Sequence, residues 1–196
     1  AWVARGRVRE DVNALAAGIE DFTQALALKP DDVPVLLERA SYQGKRGAWD
    51  KAAADLGRAI EIDPKNPKPF VQRGRNAAKN GKFADAVADF DCALALKPDQ
   101  AKVLVYRGSA QFEDGKFDQA FDSYTDAVIA DATYVDAWLV RGTAALKRYE
   151  ALVATPPDAK RWLEKGLADL RKAAELDPDG DDGKKARKLI GKYGKK

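Results

Sequence analysis

The sequence predicts an all-α protein built from about five copies of one helix–turn–helix unit. Three prolines, Pro30, Pro64 and Pro98, end similar phrases and lie 34 residues apart. The segments 81–90 (GKFADAVADF) and 115–124 (GKFDQAFDSY) repeat nearly the same letters at the same spacing. No stretch of alternating β-branched residues interrupts this pattern, so strands are not expected. The observations together indicate an array of helix pairs.

Small and bulky residues recur at fixed columns of the repeat. Small residues occupy one column at Gly6, Ala40, Gly74, Gly108 and Gly142. Bulky residues occupy another at Phe22, Leu56, Phe90, Tyr124 and Leu170. A small residue on one helix lets a large residue of the next approach closely, so these columns predict the face on which two helices pack.

The columns divide the chain into units and identify one irregular unit. The units fall at approximately 1–32, 33–66, 67–100, 101–134 and 135–180. The last unit carries an insertion of 12 residues near 149–160, between its two helices. We expect a lengthened hairpin there, whose Tyr149, Leu152 and Val153 either are available to a partner or pack with Trp162.

The unit resembles the tetratricopeptide repeat. The resemblance rests on a bulky residue, a Gly or Ala four places later, then an Ala, an aromatic residue, an Ala and a terminal Pro. Unit 67–100 shows this pattern at Phe70, Gly74, Phe83, Ala86, Phe90, Ala93 and Pro98. The resemblance extends from Trp2 to Pro178 and implies a right-handed α-solenoid of stacked helix pairs. Such arrays usually end in a capping helix, which residues 182–193 are predicted to form.

Arginine occupies an unusual column, where the family usually has leucine. The arginines are Arg5, Arg39, Arg73, Arg107 and Arg141. Aspartate precedes the bulky residue of the second helix at Asp21, Asp55, Asp89 and Asp169, whereas the fourth unit has Ser123. An arginine between helices without a counter-charge would be costly, so we predict Arg–Asp pairs within a unit or across to a neighbour. The alternative is a row of arginines that binds phosphate or another ligand.

The resemblance also implies a concave groove, lined by the first helices, in which a peptide lies. The predicted groove residues are Lys68, Val71, Gln72, Arg75, Lys79, Lys102, Val105, Tyr106, Ser109, Phe112 and Leu139. Its basic middle suits an acidic segment with an apolar side chain, unless these lysines only solvate the surface. Only one clamp position of the chaperone-binding members is matched, by Lys68 or by Lys102, so that clamp is not expected.

Composition excludes several classes of function. The chain has no histidine, which removes the commonest general base and most zinc sites. The acidic stretch 177–183 fails the calcium-loop pattern. The sequence also shows no glycine-rich phosphate loop, nucleophile elbow or metal-ligand spacing, so no catalytic residue, metal or cofactor is predicted and the protein is not expected to be an enzyme. No apolar run approaches the ~18 residues of a membrane span. The single cysteine, Cys92, leaves the redox compartment open, with a soluble cytoplasmic protein slightly favoured.

Three functions remain in view. The leading hypothesis is a non-catalytic interaction module that binds a peptide or protein segment. The second is binding of an anionic surface, nucleic acid or membrane, through the tail 183–196 (GKKARKLIGKYGKK). It is the weaker hypothesis because the basic residues cluster in the predicted cap and not along the array, without regular aromatic stacking, and nucleic acid is not expected at a net charge of only +3. The third is an accessory domain of a larger enzyme, because a chain that starts at Ala1 is expected to be a piece of a longer protein. Self-association through the exposed ends is compatible with each of them.

Overall fold

The computed structural model describes residues 12–152 and 156–194, and in this part of the chain every regular element is an α-helix. The chain divides into two compact units, Ala1–Pro98 and Asp99–Lys196. The predicted fold class, all-α with the helix–turn–helix units of an α-solenoid, is confirmed.

The first compact unit contains five described helices. They are α1 (Val12–Leu28), α2 (Val33–Lys45), α3 (Trp49–Ile62), α4 (Pro67–Lys79) and α5 (Phe83–Leu96). Asp32 and Asn66 start α2 and α4 because their side chains accept hydrogen bonds from backbone N–H groups of the first turn. Each helix contacts the next, and α2 also contacts α4. The first helix predicted for unit 1–32, together with Arg5, lies outside the described residues.

The described residues of the second compact unit also form five helices. They are α6 (Ala101–Glu113), α7 (Phe117–Ala130), α8 (Val135–Ala151), α9 (Pro156–Leu176) and α10 (Asp181–Tyr193). The 17 residues of α8 and 21 of α9 exceed the 13 and 14 of α6 and α7, so the insertion lengthens both helices. The last helix, α10, occupies the segment predicted as a cap and contacts α8 and α9.

The small-residue column places an aromatic ring against helix backbone. A Cβ atom added at Gly74 would lie 2.8 Å from Phe90 Cε1, and one at Gly108 would lie 2.6 Å from Tyr124 Cε1. Phe90 and Tyr124 are 1% and 3% exposed. The two helices of a unit therefore approach as closely as the ring allows, which is the packing that the columns predicted.

The aromatic residues in and next to the insertion pack against neighbouring helices. Tyr149 is half-buried, and its ring meets that of Tyr193 on α10 edge-on at 6.3 Å, so it is not free for a partner. Trp162 meets Phe121 of α7 edge-on at 5.0 Å. The longer α8 and α9 reach neighbouring helices, which the sequence pattern of one unit does not reveal. Val153 lies outside the described residues.

Candidate functional site

Arginine–aspartate pairs join the two helices of three units. In each pair Nε and Nη2 of the arginine donate to the two carboxylate oxygens, at 2.6–2.8 Å in Arg39–Asp55 and at 2.7–2.8 Å in Arg141–Asp169. In Arg73–Asp89 the two shortest contacts are 2.7 and 2.9 Å. The hydrogen bonds to Asp89 raise the pKa of Arg73 above its ordinary value. All three pairs lie within a unit and not across two units.

The fourth unit replaces the acid by a hydroxyl. Arg107 Nε donates to Ser123 Oγ at 3.0 Å, and its Nη2 reaches Asp126 at 3.2 Å. Ser123 is 1% exposed and donates to Gln111 Oε1 at 2.6 Å, which satisfies a second buried polar group. Asp21, the predicted partner of Arg5, is buried at 3% exposure, but Arg5 is not described.

The arginines of this row are engaged by protein side chains, mainly of their own unit, although Arg39 Nη1 also donates to Thr23 of the preceding unit at 3.2 Å. The side chains of Arg39, Arg107 and Arg141 are only 14–21% exposed, and Arg73 reaches 34%. Two donors of each guanidinium are directed at residues of the second helix. Their geometry favours an orienting role over phosphate binding.

An open groove lies between α2 and α4 in the first compact unit. Gln72 Nε2 donates to the backbone oxygen of Leu37 at 2.9 Å and ties the two first helices together. The groove has a volume of ≈ 530 Å³ and is lined by Val33, Pro34, Leu37, Glu38, Ser41, Asp63, Asn66, Lys68 and Gln72. Of the predicted groove residues on α4, Lys68, Arg75 and Lys79 are exposed and Val71 is half-buried.

The predicted groove residues of the second compact unit differ in accessibility. Lys102 is exposed, and Tyr106, Ser109 and Phe112 are half-buried. Ser109 accepts a hydrogen bond of 3.4 Å from Tyr124, and Phe112 packs edge-on against Phe117 at 5.1 Å.

Val105 does not belong to an accessible groove surface. It is only 3% exposed, so little of its side chain is accessible to a peptide. The physical reason is that α6 is packed against both α7 and α8, and a buried side chain has no surface left for a ligand. Leu139 is 7% exposed and keeps only an edge at the surface, because α10 packs beside α8.

Sequence reasoning missed a second groove, between α8 and α10. Its volume is ≈ 630 Å³ and its lining residues are Leu139, Thr143, Lys185, Lys188, Leu189 and Lys192. Three of the lining residues are lysines of α10. Their spacing of three and four residues, which places them on one stripe next to Leu189, was the available signal.

Burial and neighbouring charges shift the pKa values of the titratable groups beside this groove. Burial and the neighbouring Asp182 raise the pKa of Asp136, and burial raises the pKa of Tyr134 to about 12. The Tyr134 hydroxyl donates to Asp136 at 3.3 Å. Asp182 in turn holds Lys185 at 2.8 Å and raises its pKa. The starts of α8 and α10 are therefore close enough for their charges to interact, with Asp182 raising and Lys185 lowering the pKa of Asp136.

Comparison with known families identifies the class of protein. The tetratricopeptide repeat model matches residues 3–67 and 71–135, which is more than half of the chain. The chain belongs to the tetratricopeptide repeat family, a family of protein–protein interaction modules. No curated protein sequence matches it.

Several solved structures share the fold. A MamA structure superposes with a TM-score of 0.71 at 18% identity, covering 89% of this chain and 92% of its own. YrrB, described as a TPR protein with an unusual peptide-binding site, gives 0.66 at 18% identity over 95% and 90%. The first TPR of Spaghetti (RPAP3), bound to the HSP90 peptide SRMEEVD, gives 0.56 at 26% identity over 62% and 93%. None of the described helices is long and apolar enough to cross a bilayer.

Proposed function

We propose that the protein is a non-catalytic interaction module whose first helices bind an acidic peptide segment with an apolar anchor. The observation that carries the proposal is the open groove between α2 and α4, which Gln72 holds together without filling it. A groove with a short apolar floor and polar walls takes one side chain and fixes the direction of a bound segment.

The floor of the groove provides the apolar contact. Val33 and Leu37 of α2 are both half-buried and line the same groove. Each therefore keeps apolar surface that a partner side chain can cover, at about 25 cal/mol for every Å² removed from water.

The charges of the groove define the orientation of the segment. Lys68 is exposed and has no ion-pair partner among residues 12–152 and 156–194. Glu38 and Asp63 line the same groove and would repel acidic groups. The carboxylates of a bound segment are therefore expected along α4, near Lys68, with its apolar side chain towards α2.

Two structural relatives support peptide binding as the mode of interaction. The YrrB and Spaghetti structures are described by a peptide-binding site and by a bound acidic peptide, respectively. The residues of this chain match the chaperone clamp only at Lys68 or Lys102, so we expect a different peptide from that of the chaperone-binding relatives. The absence of histidine from the sequence supports a role without acid–base catalysis.

The experiment is a selection from a displayed peptide library with the wild-type chain and with Lys68→Glu. We expect the wild type to enrich segments with several acidic residues and at least one large apolar residue, and Lys68→Glu to lose that enrichment. The matched control is Lys51→Glu, which makes the same change of net charge at an exposed lysine outside the α2–α4 groove. Identical enrichment by wild type and by Lys68→Glu would contradict the proposed surface.

A further inference from the structure

The groove between α8 and α10 has an apolar floor. Leu139 and Leu189 line it from the two helices, and Thr143 lines it one turn after Leu139 on α8. The Thr143 hydroxyl already donates to the backbone oxygen of Leu139 at 2.7 Å, so it presents mainly its methyl group. The floor therefore suits an apolar side chain, and a polar one would lose hydrogen bonds to water there.

Three lysines of α10 form one wall of this groove. At 1.5 Å per residue, Lys185, Lys188 and Lys192 extend over about 10 Å of helix. Lys185 is held by Asp182 at 2.8 Å, and Lys192 donates to the Tyr193 hydroxyl at 2.8 Å. Two of the three ammonium groups are thus positioned by residues of the protein itself.

Lys188 is the ammonium group available for a partner. It is exposed, and within the described part of the chain it has no salt bridge, side-chain hydrogen bond or ring contact. It stands between the two positioned lysines on the same stripe. The wall therefore offers a positive charge at its centre that no residue of the described chain neutralises.

We infer that the α8–α10 groove is a docking site for an acidic segment of a partner protein, with one apolar side chain over Leu139 and Leu189 and a carboxylate on Lys188. The inference rests on the proposed function and deepens it by naming a separate subsite with the same ligand chemistry. In an extended segment, side chains two positions apart are separated by about 7 Å. Two acidic residues of the segment that are separated by one other residue therefore fit within the length of the lysine wall.

The groove favours a peptide over a membrane or a nucleic acid. The large apolar side chains that the structure shows as exposed are Leu28, Leu96, Phe117 and Ile129, and none of them lies on α10. A membrane-surface helix needs such residues to enter the lipid. Among the residues that the structure describes, those that line the groove include no aromatic side chain on which the bases of a single strand could stack.

The test uses the full chain and a short, fluorescently labelled peptide of aspartate and glutamate with one central leucine. Fluorescence anisotropy gives Kd for the wild type, for Lys188→Glu and for Lys184→Glu. The two lysines are exposed on the same helix, but only Lys188 lines the groove. We expect Lys188→Glu to raise Kd at least about tenfold and Lys184→Glu to raise it less than about twofold.

A second pair of peptides tests the floor. Replacing the central leucine of the peptide by glycine is expected to weaken binding to the wild type about tenfold, because the apolar contact over Leu139 is lost. Thermal unfolding followed by circular dichroism checks that both variants stay folded. Equal Kd values for Lys188→Glu and Lys184→Glu, or for the leucine and glycine peptides, overturn the inference.

Other outcomes separate this subsite from the proposed function. Binding that is lost in Lys68→Glu and unchanged in Lys188→Glu overturns the subsite alone, and failure of the wild type to bind the peptide overturns both. Vesicles of phosphatidylserine and phosphatidylcholine are the remaining probe. If Lys188→Glu releases the chain from vesicles while peptide binding is unchanged, the surface is a membrane contact and the inference is wrong.

Discussion

The hairpins α4–α5 and α6–α7 have the same helix lengths and the same arginine, but a different residue faces that arginine. In α4–α5 both oxygens of Asp89 accept from Arg73, whereas in α6–α7 the hydroxyl of Ser123 accepts from Arg107. The donor and acceptor residues are 16 positions apart in both. The packing of the two helices therefore positions the arginine, and the aspartate orients it without being required for the hairpin.

The hairpin α8–α9 extends this comparison. Arg141 and Asp169 are 28 positions apart because the insertion lies between them, yet they form the same two-pronged contact as the shorter hairpins. Extra residues lengthen the far ends of α8 and α9 and leave the register at the pair unchanged. The arginine–aspartate pair thus lies in the part of the unit where the insertion does not change how the two helices face each other.

The largest expected effect comes from removing one partner of the most buried pair. Asp169→Ala leaves Arg141, which is 14% exposed, without its carboxylate, and we expect a loss of about 3 kcal/mol in the free energy of unfolding. Urea denaturation measures it. The control Arg141→Met/Asp169→Leu removes both charges and is expected to stay within about 1 kcal/mol of the wild type. A double variant as unstable as Asp169→Ala would show that the pair itself, and not the unpaired charge, stabilises the hairpin.

A second prediction concerns the close approach that both hairpins share. Gly108→Ala places a Cβ atom within 2.7 Å of two Tyr124 ring carbons, and we expect overpacking to cost about 1–3 kcal/mol in unfolding free energy. Gly57→Ala, on α3, meets no atom within 4 Å and is the matched control. It is expected to stabilise by up to about 1 kcal/mol through helix propensity. A stabilising Gly108→Ala would contradict the described packing.

Giving the α6–α7 hairpin the aspartate that α4–α5 has is expected to change the free energy of unfolding little. Ser123→Asp gives Arg107 a carboxylate like Asp89, and we expect a change within about 1 kcal/mol, because the new charge must also be desolvated. Gln111 can turn its amide group so that it donates to the new carboxylate. A double-mutant cycle with Arg107→Met measures the coupling. Coupling indistinguishable from zero would mean that the serine hairpin holds its arginine in a different position.

The smallest expected effect is a loss of stability at alkaline pH, to which the α6–α7 hairpin contributes through Tyr124 and the α4–α5 hairpin does not. Burial raises the pKa of Tyr124 to about 12, from an unfolded value of about 10, whereas α5 has Phe90 in that column. Since the folded state keeps the proton longer, this stability is complete below pH 10 and is lost as the pH rises through about 12. Tyr124→Phe should remove this part of the decline while leaving stability at pH 7 within about 1 kcal/mol. Identical alkaline unfolding curves for the two proteins would contradict it; Tyr134 contributes equally to both.

The local features of the fold could be predicted because they repeat. Helix pairs and the glycine–aromatic contacts follow from columns that recur every 34 residues. The capping segment follows from the family resemblance and from its own amphipathic pattern. The candidate site was less predictable. Lys68 and Val105 were both predicted from their repeat positions to line the groove of the first helices. Lys68 is exposed, whereas Val105 is buried because α6 packs against α8.

The sequence by itself determined what lies within one unit: two helices, their turn, and the residues that face each other across them. These contacts depend on spacings of a few to a few tens of residues, which the chain repeats. Only the tertiary structure decided which residues of the first helices stay accessible, and that Lys185, Lys188 and Lys192 stand beside Leu139. Exposure depends on the next helix that packs over a face, and a periodic pattern carries no information about how closely that neighbour approaches.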